Sequence, residues 1–283
     1  MRKSFGYLKR GETAASILKY FFLILCVCTA LFPILWVIMS SFKTNAEILS
    51  SGISFPSRFS FDGYVQALKI SPIPRYFLNS VLVTSAATIL NVFFLAMAGY
   101  IFARFQFRGK NLLYFILSLS LVIPMTGLLH PVYMTVNALH LSNSKSGLVL
   151  VYTALNLPMS LLILRGTFQS VPRSLEEAAV MDGAGFCRTF FQIMIPVSKG
   201  GLTSAGVLTF LNCWNEFTFA LILTSSQNVR TLPLSLSYFT SQFSFNYTAM
   251  FAAITIAVIP SIAVFALFQE QVVSSLTAGA IKG

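Results

Sequence analysis

Six stretches of the chain run for about the length of a bilayer core with almost no charge, and this limits the fold more than any motif does. The hydrocarbon core of a membrane is crossed by ~20 apolar residues in a helix. The stretches are about Ile17–Phe42, Phe77–Ala103, Leu112–Val136, Gly147–Leu164, Leu202–Thr224 and Thr248–Phe268. In lipid every backbone N–H and C=O must find a partner within the protein, so runs of this length read as spanning helices. Composition agrees: 56% of the 283 residues are hydrophobic and 10% are charged. A soluble domain carries about 25% charged residues, and one this apolar would expose large adhesive patches. The first run is longer than the roughly 7–15-residue core of a signal peptide. No small-x-small site follows it, so it is expected to remain as a helix.

The formal net charge is +11. The bases lie in short clusters between apolar runs and form no face suited to nucleic acid; the expected partner is membrane lipid, not nucleic acid. With six spans both termini share a side. That side holds 13 of the 19 Lys and Arg residues, among them Arg104, Arg108 and Lys110 in one short loop. The positive-inside rule makes it the cytoplasm. The expectation is an all-α integral membrane protein forming one domain over residues 1–283. Within it lie an N-terminal helix 17–42, a five-helix bundle about 77–268, an inner loop 165–201 and a tail 269–283. Pro124, Pro131, Pro158 and Pro260 fall inside the runs, where neighbouring helices tolerate the bends they cause. The outer connection 43–76 is long and rich in Gly, Pro and aromatic residues.

No metal site is expected. The four cysteines lack ligand spacing, and His130 and His140 have no carboxylate or cysteine partner nearby in sequence, so they read as end-of-helix residues.

The inner loop carries the sharpest local signal. Ser174 followed three residues later by Glu177 predicts a capping box. Glu176 and Glu177 suit the first turn of a helix, and Gly183 suits its end. A two-turn helix lying in water is predicted, with Ala178 and Ala179 on its surface and Phe186, Phe190 and Phe191 behind it. It reads either as a docking knob or as a plain connector.

Glu177-Ala178-Ala179, Gly183, Ile193 and Ile195-Pro196 fall at the spacing EAA-x3-G-x9-I-x-LP, with Ile195 in place of leucine. This resembles the EAA signature of binding-protein-dependent ABC import permeases. Asp182-Gly183-Ala184, Trp214-Asn215-Glu216-Phe217, Thr231-Leu232-Pro233, the tail Leu276–Ala280 and Lys282-Gly283 resemble the carbohydrate-type branch. Within that branch the chain is similar to the smaller permease of maltose-type transporters. The resemblance implies the type I importer fold, with the coupling helix between spans 4 and 5. Glu177, Ala178, Ala179, Asp182, Gly183, Ile193 and Pro196 would then couple to an ATPase. The chain has no G-x-x-x-x-G-K-[ST] segment, so ATP and Mg²⁺ are expected in a separate subunit, a homodimer, and no cofactor in this chain. The further partners implied are a second homologous permease and an extracytoplasmic solute-binding protein. The implied location is the bacterial cytoplasmic (inner) membrane.

Glu216 is the one acid inside a predicted span, where a charge is costly and belongs in a wet or paired setting. Asn212, four residues earlier, would share its helix face. Asn212, Trp214, Asn215 and Glu216 read either as a wall of the solute path, with Trp214 stacking on sugar, or as a polar lock between helices. Asn228, Arg230 and Thr231 lie in the outer loop Ser225–Tyr247, which in the family reaches toward the binding protein. Other classes remain. An ion-coupled secondary transporter could use Glu216 and Pro158. A membrane enzyme lacks any nucleophile–base pair or paired carboxylates, and nothing points to an assembly factor.

Overall fold

The computed structural model describes residues 4–239 and 246–280, with side chains over 16–239 and 246–273. Arg2, Lys3, Lys282, Gly283 and residues 240–245 of the outer loop lie outside the described residues. All described secondary structure is helical. The chain forms two compact units: the residues up to Ile70 with Phe239–Ile256, and Ser71–Tyr238 with the residues from Ala257 on.

The first unit holds α1 (Ser4–Ser40), α2 (Asn45–Ser50), α3 (Asp62–Ile70) and the start of the last helix, α14 (Tyr247–Ala280). From Ile17 to Leu35, α1 exposes large apolar side chains on all sides, which suits hydrocarbon and not water. Where it ends, the Trp36 indole and the buried Lys43 ammonium both donate to the Gly52 carbonyl, at 2.6 and 3.1 Å. Phe42 packs on Phe59, Phe61 and Tyr64. The outer connection is therefore a built structure, and it contains a capping box that the sequence reading missed. Thr44, in extended backbone, accepts from the Glu47 amide, and the Glu47 carboxylate accepts from the Thr44 amide at 2.8 Å. Glu47 also accepts from the Ser57 hydroxyl and amide.

The second unit is built around α4 (Ile73–Arg104), an unbroken helix of 32 residues. Its buried positions include Tyr76, Asn79, Ser80, Val83, Ala87, Asn91, Leu95 and Gly99, a three-and-four spacing that marks one face. That face packs on α7 (Lys145–Leu155), α8 (Leu157–Ser170) and α12 (Lys199–Trp214). Gly99 lets α4 meet α8 closely, since a Cβ there would lie 3.0 Å from both the Arg165 amide nitrogen and the Leu164 Cβ.

The other spans of this unit are broken. α5 (Lys110–Leu119), with the 3₁₀ turn Ser120–Val122, meets the 3₁₀ turn Met125–Leu128 and α6 (Leu129–Ala138) at 105° across Pro124. α7 and α8 meet at 50° at Asn156. Inside the inner loop lie α9 (Ser174–Met181), α10 (Phe186–Thr189), a π-helical turn Phe190–Met194 and α11 (Ile195–Val197), and the segment Phe186–Val197 meets α12 at 76°. The predicted fifth span was continuous over Leu202–Thr224; instead α12 stops at Trp214 and α13 (Thr218–Leu223) follows after a break. Residues 269–280 of the predicted tail continue α14 as helix. Among the described residues three helices are long and apolar enough to cross a membrane, with three bent pairs besides.

Two apolar clusters fill this unit. One is centred on Val83, Leu148, Tyr152, Phe219 and Leu223, the other on Leu95, Tyr100, Leu164, Phe168 and Met194. Asn91, buried and lying between Ala87 and Leu95 on α4, marks a polar layer between them.

Gly99→Val should push α4 off α8 and cost about 1–3 kcal/mol, the usual range for overpacking; a lowered Tm of the purified protein in detergent would show it. In the outer connection, the Ser57 hydroxyl and the backbone amides of Thr44 and Ser57 hold the Glu47 carboxyl down from 4.5 to about 2. A depressed carboxyl favours the folded loop above its ordinary value and loses that effect as pH falls toward the depressed one. Protection of the Thr44 and Ser57 amides from hydrogen exchange, corrected for intrinsic rates, should therefore be full at pH 6 and decline between 4.5 and about 2; Glu47→Gln should abolish that pH dependence.

Candidate functional site

The inner loop builds a platform from α9 outward. The predicted capping box is absent. Arg173 already has helical backbone angles (φ −64°, ψ −28°), and the Glu176 and Glu177 amides both bond to its carbonyl. Ser174 is thus the first helical residue and not the cap. The end of the helix is as expected. Gly183 takes φ +80°, the Ala184 amide donates to the Ala179 carbonyl at 2.9 Å and the Gly183 amide to that of Val180 at 3.0 Å, a Schellman closure.

The two alanines part company: Ala178 is exposed, whereas Ala179 is 4% exposed and faces the core. The exposed residues of α9 are Ser174, Leu175, Glu177, Ala178, Val180 and Met181, followed by Asp182. Val180 and Met181 are 65% and 87% exposed, so α9 presents apolar as well as acidic side chains at its surface. Ile193 is half-buried in the π-helical turn and Pro196 lies exposed in α11, so these two signature residues follow the α9 surface and form no part of it.

Glu176 turns inward. Its carboxylate accepts from Arg104 Nε at 2.6 Å, and the same guanidinium donates to the Val171 carbonyl at 2.6 Å. The side chains are 7% and 19% exposed for Arg104 and Glu176, and this is the one ion pair among the described residues. It fixes the first turn of α9 to the last turn of α4. Beneath it Tyr100 packs against Phe168, Phe186 and Phe190 at centroid distances of 5.5, 5.7 and 5.1 Å. Sequence reasoning counted Arg104 only as a topology signal and Glu176 only as a dipole partner. Their separation of 72 residues gave no hint of the pair.

The polar layer lies where α7, α8 and α12 break or pass. Asn91 donates to the Thr153 carbonyl at 2.9 Å and accepts from Thr209, whose hydroxyl also meets Ser160. Asn212 donates to Asn156 Oδ1 at 2.9 Å, and Asn156 donates to the Tyr152 carbonyl and to Cys213 Sγ. Glu216 lies past the end of α12 and so does not extend a helical face with Asn212. Its carboxylate accepts from the Tyr152 hydroxyl at 2.8 Å and from the Phe219 and Ala220 amides at 2.7 and 2.9 Å. One carboxylate thus caps α13 and ties it to α7. Asn215 donates back to the Leu211 carbonyl and accepts from Ser261. Trp214 departs from the expectation. It is 2% exposed, stacked on Phe210 at 5.7 Å, edge-on to Phe77, and its indole donates to the Ala257 carbonyl. Its ring presents no face for a sugar to stack on.

The outer loop is tied to α4. Asn79 donates to the Asn228 and Arg230 carbonyls, both at 3.0 Å, Arg75 donates to Asn228 Oδ1 at 2.7 Å, and Ser80 accepts from the Leu232 amide at 2.7 Å. Asn228 is exposed and Arg230 half-buried, but Thr231 is 2% exposed and cannot meet a partner as expected. A cavity of about 650 Å³ opens beside Arg75, Asn79, Lys145 and Asn228. Asn143, at φ +52°, accepts from the Ser225 and Ser226 amides and fixes the near side of the loop. His130 and His140 are both exposed. No group of three metal-ligating side chains occurs among the described residues.

Residues 95–277 match the family described as binding-protein-dependent transport system inner membrane component. The chain is 36% identical to the diacetylchitobiose uptake system permease protein NgcG of Streptomyces coelicolor, over 92% of this chain and 87% of that one. It is 34% identical to the trehalose/maltose transport system permease protein MalG of Thermococcus litoralis, over 97% of this chain and 99% of that one. In fold it is similar to a chain of a bacterial ABC transporter involved in import of the acidic polysaccharide alginate, with a TM-score of 0.81 at 20% identity over 92% of this chain and 97% of that one.

If Glu216 is a structural lock, Glu216→Ala leaves a hydroxyl and two amides without an acceptor, each costing about 1–3 kcal/mol. Tyr152→Phe removes one donor and should cost ~1 kcal/mol. The Tm of the alanine variant in detergent should therefore fall well below that of the phenylalanine variant; an equal or smaller fall would count against the lock.

Proposed function

Because the chain belongs to the family of binding-protein-dependent transport system inner membrane components, we propose that it is one of two permease halves of an ATP-driven importer for a sugar or oligosaccharide. The family is a transport component and not an enzyme. The substrate class rests on the relatives, whose names give diacetylchitobiose and trehalose/maltose. In this reading the chain crosses the bacterial inner membrane six times, the third time through α5 and α6, the fourth through α7 and α8 and the fifth through α12 and α13, with both termini in the cytoplasm. ATP and Mg²⁺ are bound by a separate ATPase dimer, and a second, homologous permease completes the path.

The observation that carries the proposal is the exposed face of α9. A two-turn helix, closed by Gly183 and fixed from behind by Arg104, displays Glu177, Ala178, Val180, Met181 and Asp182 to water. The small Ala178 permits close approach, Val180 and Met181 supply apolar area, and Glu177 supplies a charge for a basic residue of the ATPase. Ala179, Ile193 and Pro196 act behind that face, holding the loop in shape. At the opposite end Asn228 and Arg230, beside the cavity lined by Arg75 and Lys145, form the surface that receives the binding protein; buried Thr231 supports it from within. Asn212, Asn215 and Glu216 form the wall of the solute path on this side, with the partner permease opposite. The rival reading, an ion-coupled secondary transporter, would leave the α9 face without a role. It also needs a free acid at mid-span, and the Glu216 carboxylate already meets three donors.

Affinity purification from native membranes in mild detergent should recover a P-loop ATPase and a second permease. Burying a methionine contributes about 1.5–3 kcal/mol, so Met181→Asp should weaken ATPase retention by roughly 10- to 100-fold while the chain still reaches the membrane. Recovery of the chain alone from wild-type membranes would instead favour the secondary transporter. Glu177→Gln keeps the size and loses the charge; normal transport by that variant would remove the ion pair from the mechanism.

A further inference from the structure

The platform that faces the ATPase and the loop that faces the binding protein are joined by side-chain bonds to the two ends of one helix. Arg104, the last residue of α4, holds Glu176 of α9 at 2.6 Å. Near the first turns of the same helix, Asn79 donates to the carbonyls of Asn228 and Arg230 and Ser80 accepts from the Leu232 amide. Asn79 and Ser80 are 2% and 1% exposed, so these are interior clamps and not surface contacts. α4 has 32 residues and at 1.5 Å per residue is about 48 Å long, enough to reach from one face of a membrane to the other.

α4 is also the element least able to absorb a displacement. Of the other spans that lie wholly in this unit, two are bent by 105° and 50° and the third is interrupted between α12 and α13, whereas α4 has no break, and its one proline, Pro74, lies in the first turn. The covalent route out of α9 runs into α8, but α8 ends at the Asn156 break, where a movement dissipates as a change of angle. Midway, Asn91 bonds α4 to the Thr153 carbonyl and to Thr209. A shift of α9 driven from the inner side reaches the outer loop through α4 with no flexible joint between.

We propose that α4 is the transmission rod of the importer, with Arg104–Glu176 as its inner coupling and Asn79 as its outer one. Docking of a loaded binding protein at the 228–232 loop and closure of the ATPase on α9 would each bias the same helix. Arg104, Glu176 and Asn79 are positioning residues in this scheme; none touches nucleotide or sugar. The inference rests on the importer reading given above.

The test uses the complete complex, with its ATPase, second permease and binding protein, reconstituted in proteoliposomes. The binding protein is loaded with whichever of trehalose, maltose or diacetylchitobiose raises its own Tm. The readout is the ratio of ATP hydrolysis with loaded binding protein to hydrolysis without it. Glu176→Gln and Asn79→Ala should each lower that ratio about 5-fold or more, the lower end of ordinary coupling between sites. Because both act on one rod, the double variant should be no worse than the more severe single one. The reversed pair Arg104→Glu with Glu176→Arg should recover part of the ratio, which a general loss of fold would not allow. Wild-type stimulation in either single variant would overturn the rod, and so would a double variant whose loss is the product of the two. If a variant fails to assemble, Arg104→Lys and Asn79→Gln are read by the same criteria. A wild-type complex that contains no ATPase sinks the importer reading itself, whereas a stimulated wild type with equally stimulated variants sinks only the rod.

Discussion

The second unit is organised by the cost of ending a helix inside hydrocarbon. Each broken end leaves backbone groups without a helical partner, and one left unmet in an apolar setting costs several kcal/mol. Glu216 meets the first amides of α13. Asn156 reaches back to the Tyr152 carbonyl at the end of α7. Pro124, at the sharpest bend, has no N–H to satisfy. These residues must be polar because the chain breaks there, and being polar they find one another. Tyr152 meets Glu216, and Asn156 meets Asn212. Part of the polar layer follows from the breaks, and Asn91 joins it from unbroken α4.

Six apolar runs are legible because lipid reads composition over ~20 residues and is indifferent to what each residue touches. The breaks are less legible. Leu202–Thr224 reads as one run because Asn215 and Glu216 are a small polar fraction of it, yet two adjacent polar residues suffice to end α12. The capping signature shows the limit of a local pattern. Thr44–Glu47 and Ser174–Glu177 share one spacing, but only the first forms the box. Thr44 is extended, whereas Arg173 already has helical angles after Pro172, which moves Ser174 inside the helix.

Residues whose roles depend on distant partners were the ones missed. Asn91 is one of several polar residues in the run Phe77–Ala103, and its partners Thr153 and Thr209 lie on two other helices. Trp214 failed as a sugar platform for the converse reason. Its aromatic neighbours Phe210 and Phe77 cover it, and only one of them is close in sequence. The EAA spacing, by contrast, begins on the short helix α9 while leaving open which way each residue faces. The 3.6-residue turn set that, placing Ala178 outside and Ala179 inside.

Arg104 carries a consequence for how the protein is made. Its partner Glu176 lies 72 residues later in the chain, and at about 5–20 residues per second the ribosome needs roughly 4–14 s to reach it. Throughout that interval α4 must be held in the bilayer by its own apolar length, with an uncompensated guanidinium at its end. On the proposed topology that free charge is useful at this stage, because with Arg108 and Lys110 it anchors the nascent helix on the cytoplasmic side. When α9 emerges the same group gains Glu176 and becomes a structural joint. One side chain thus serves biogenesis first and the finished machine afterwards. Lysine at 104 would satisfy the first stage, but it lacks the two-pronged geometry that holds Glu176 and Val171 together in the second.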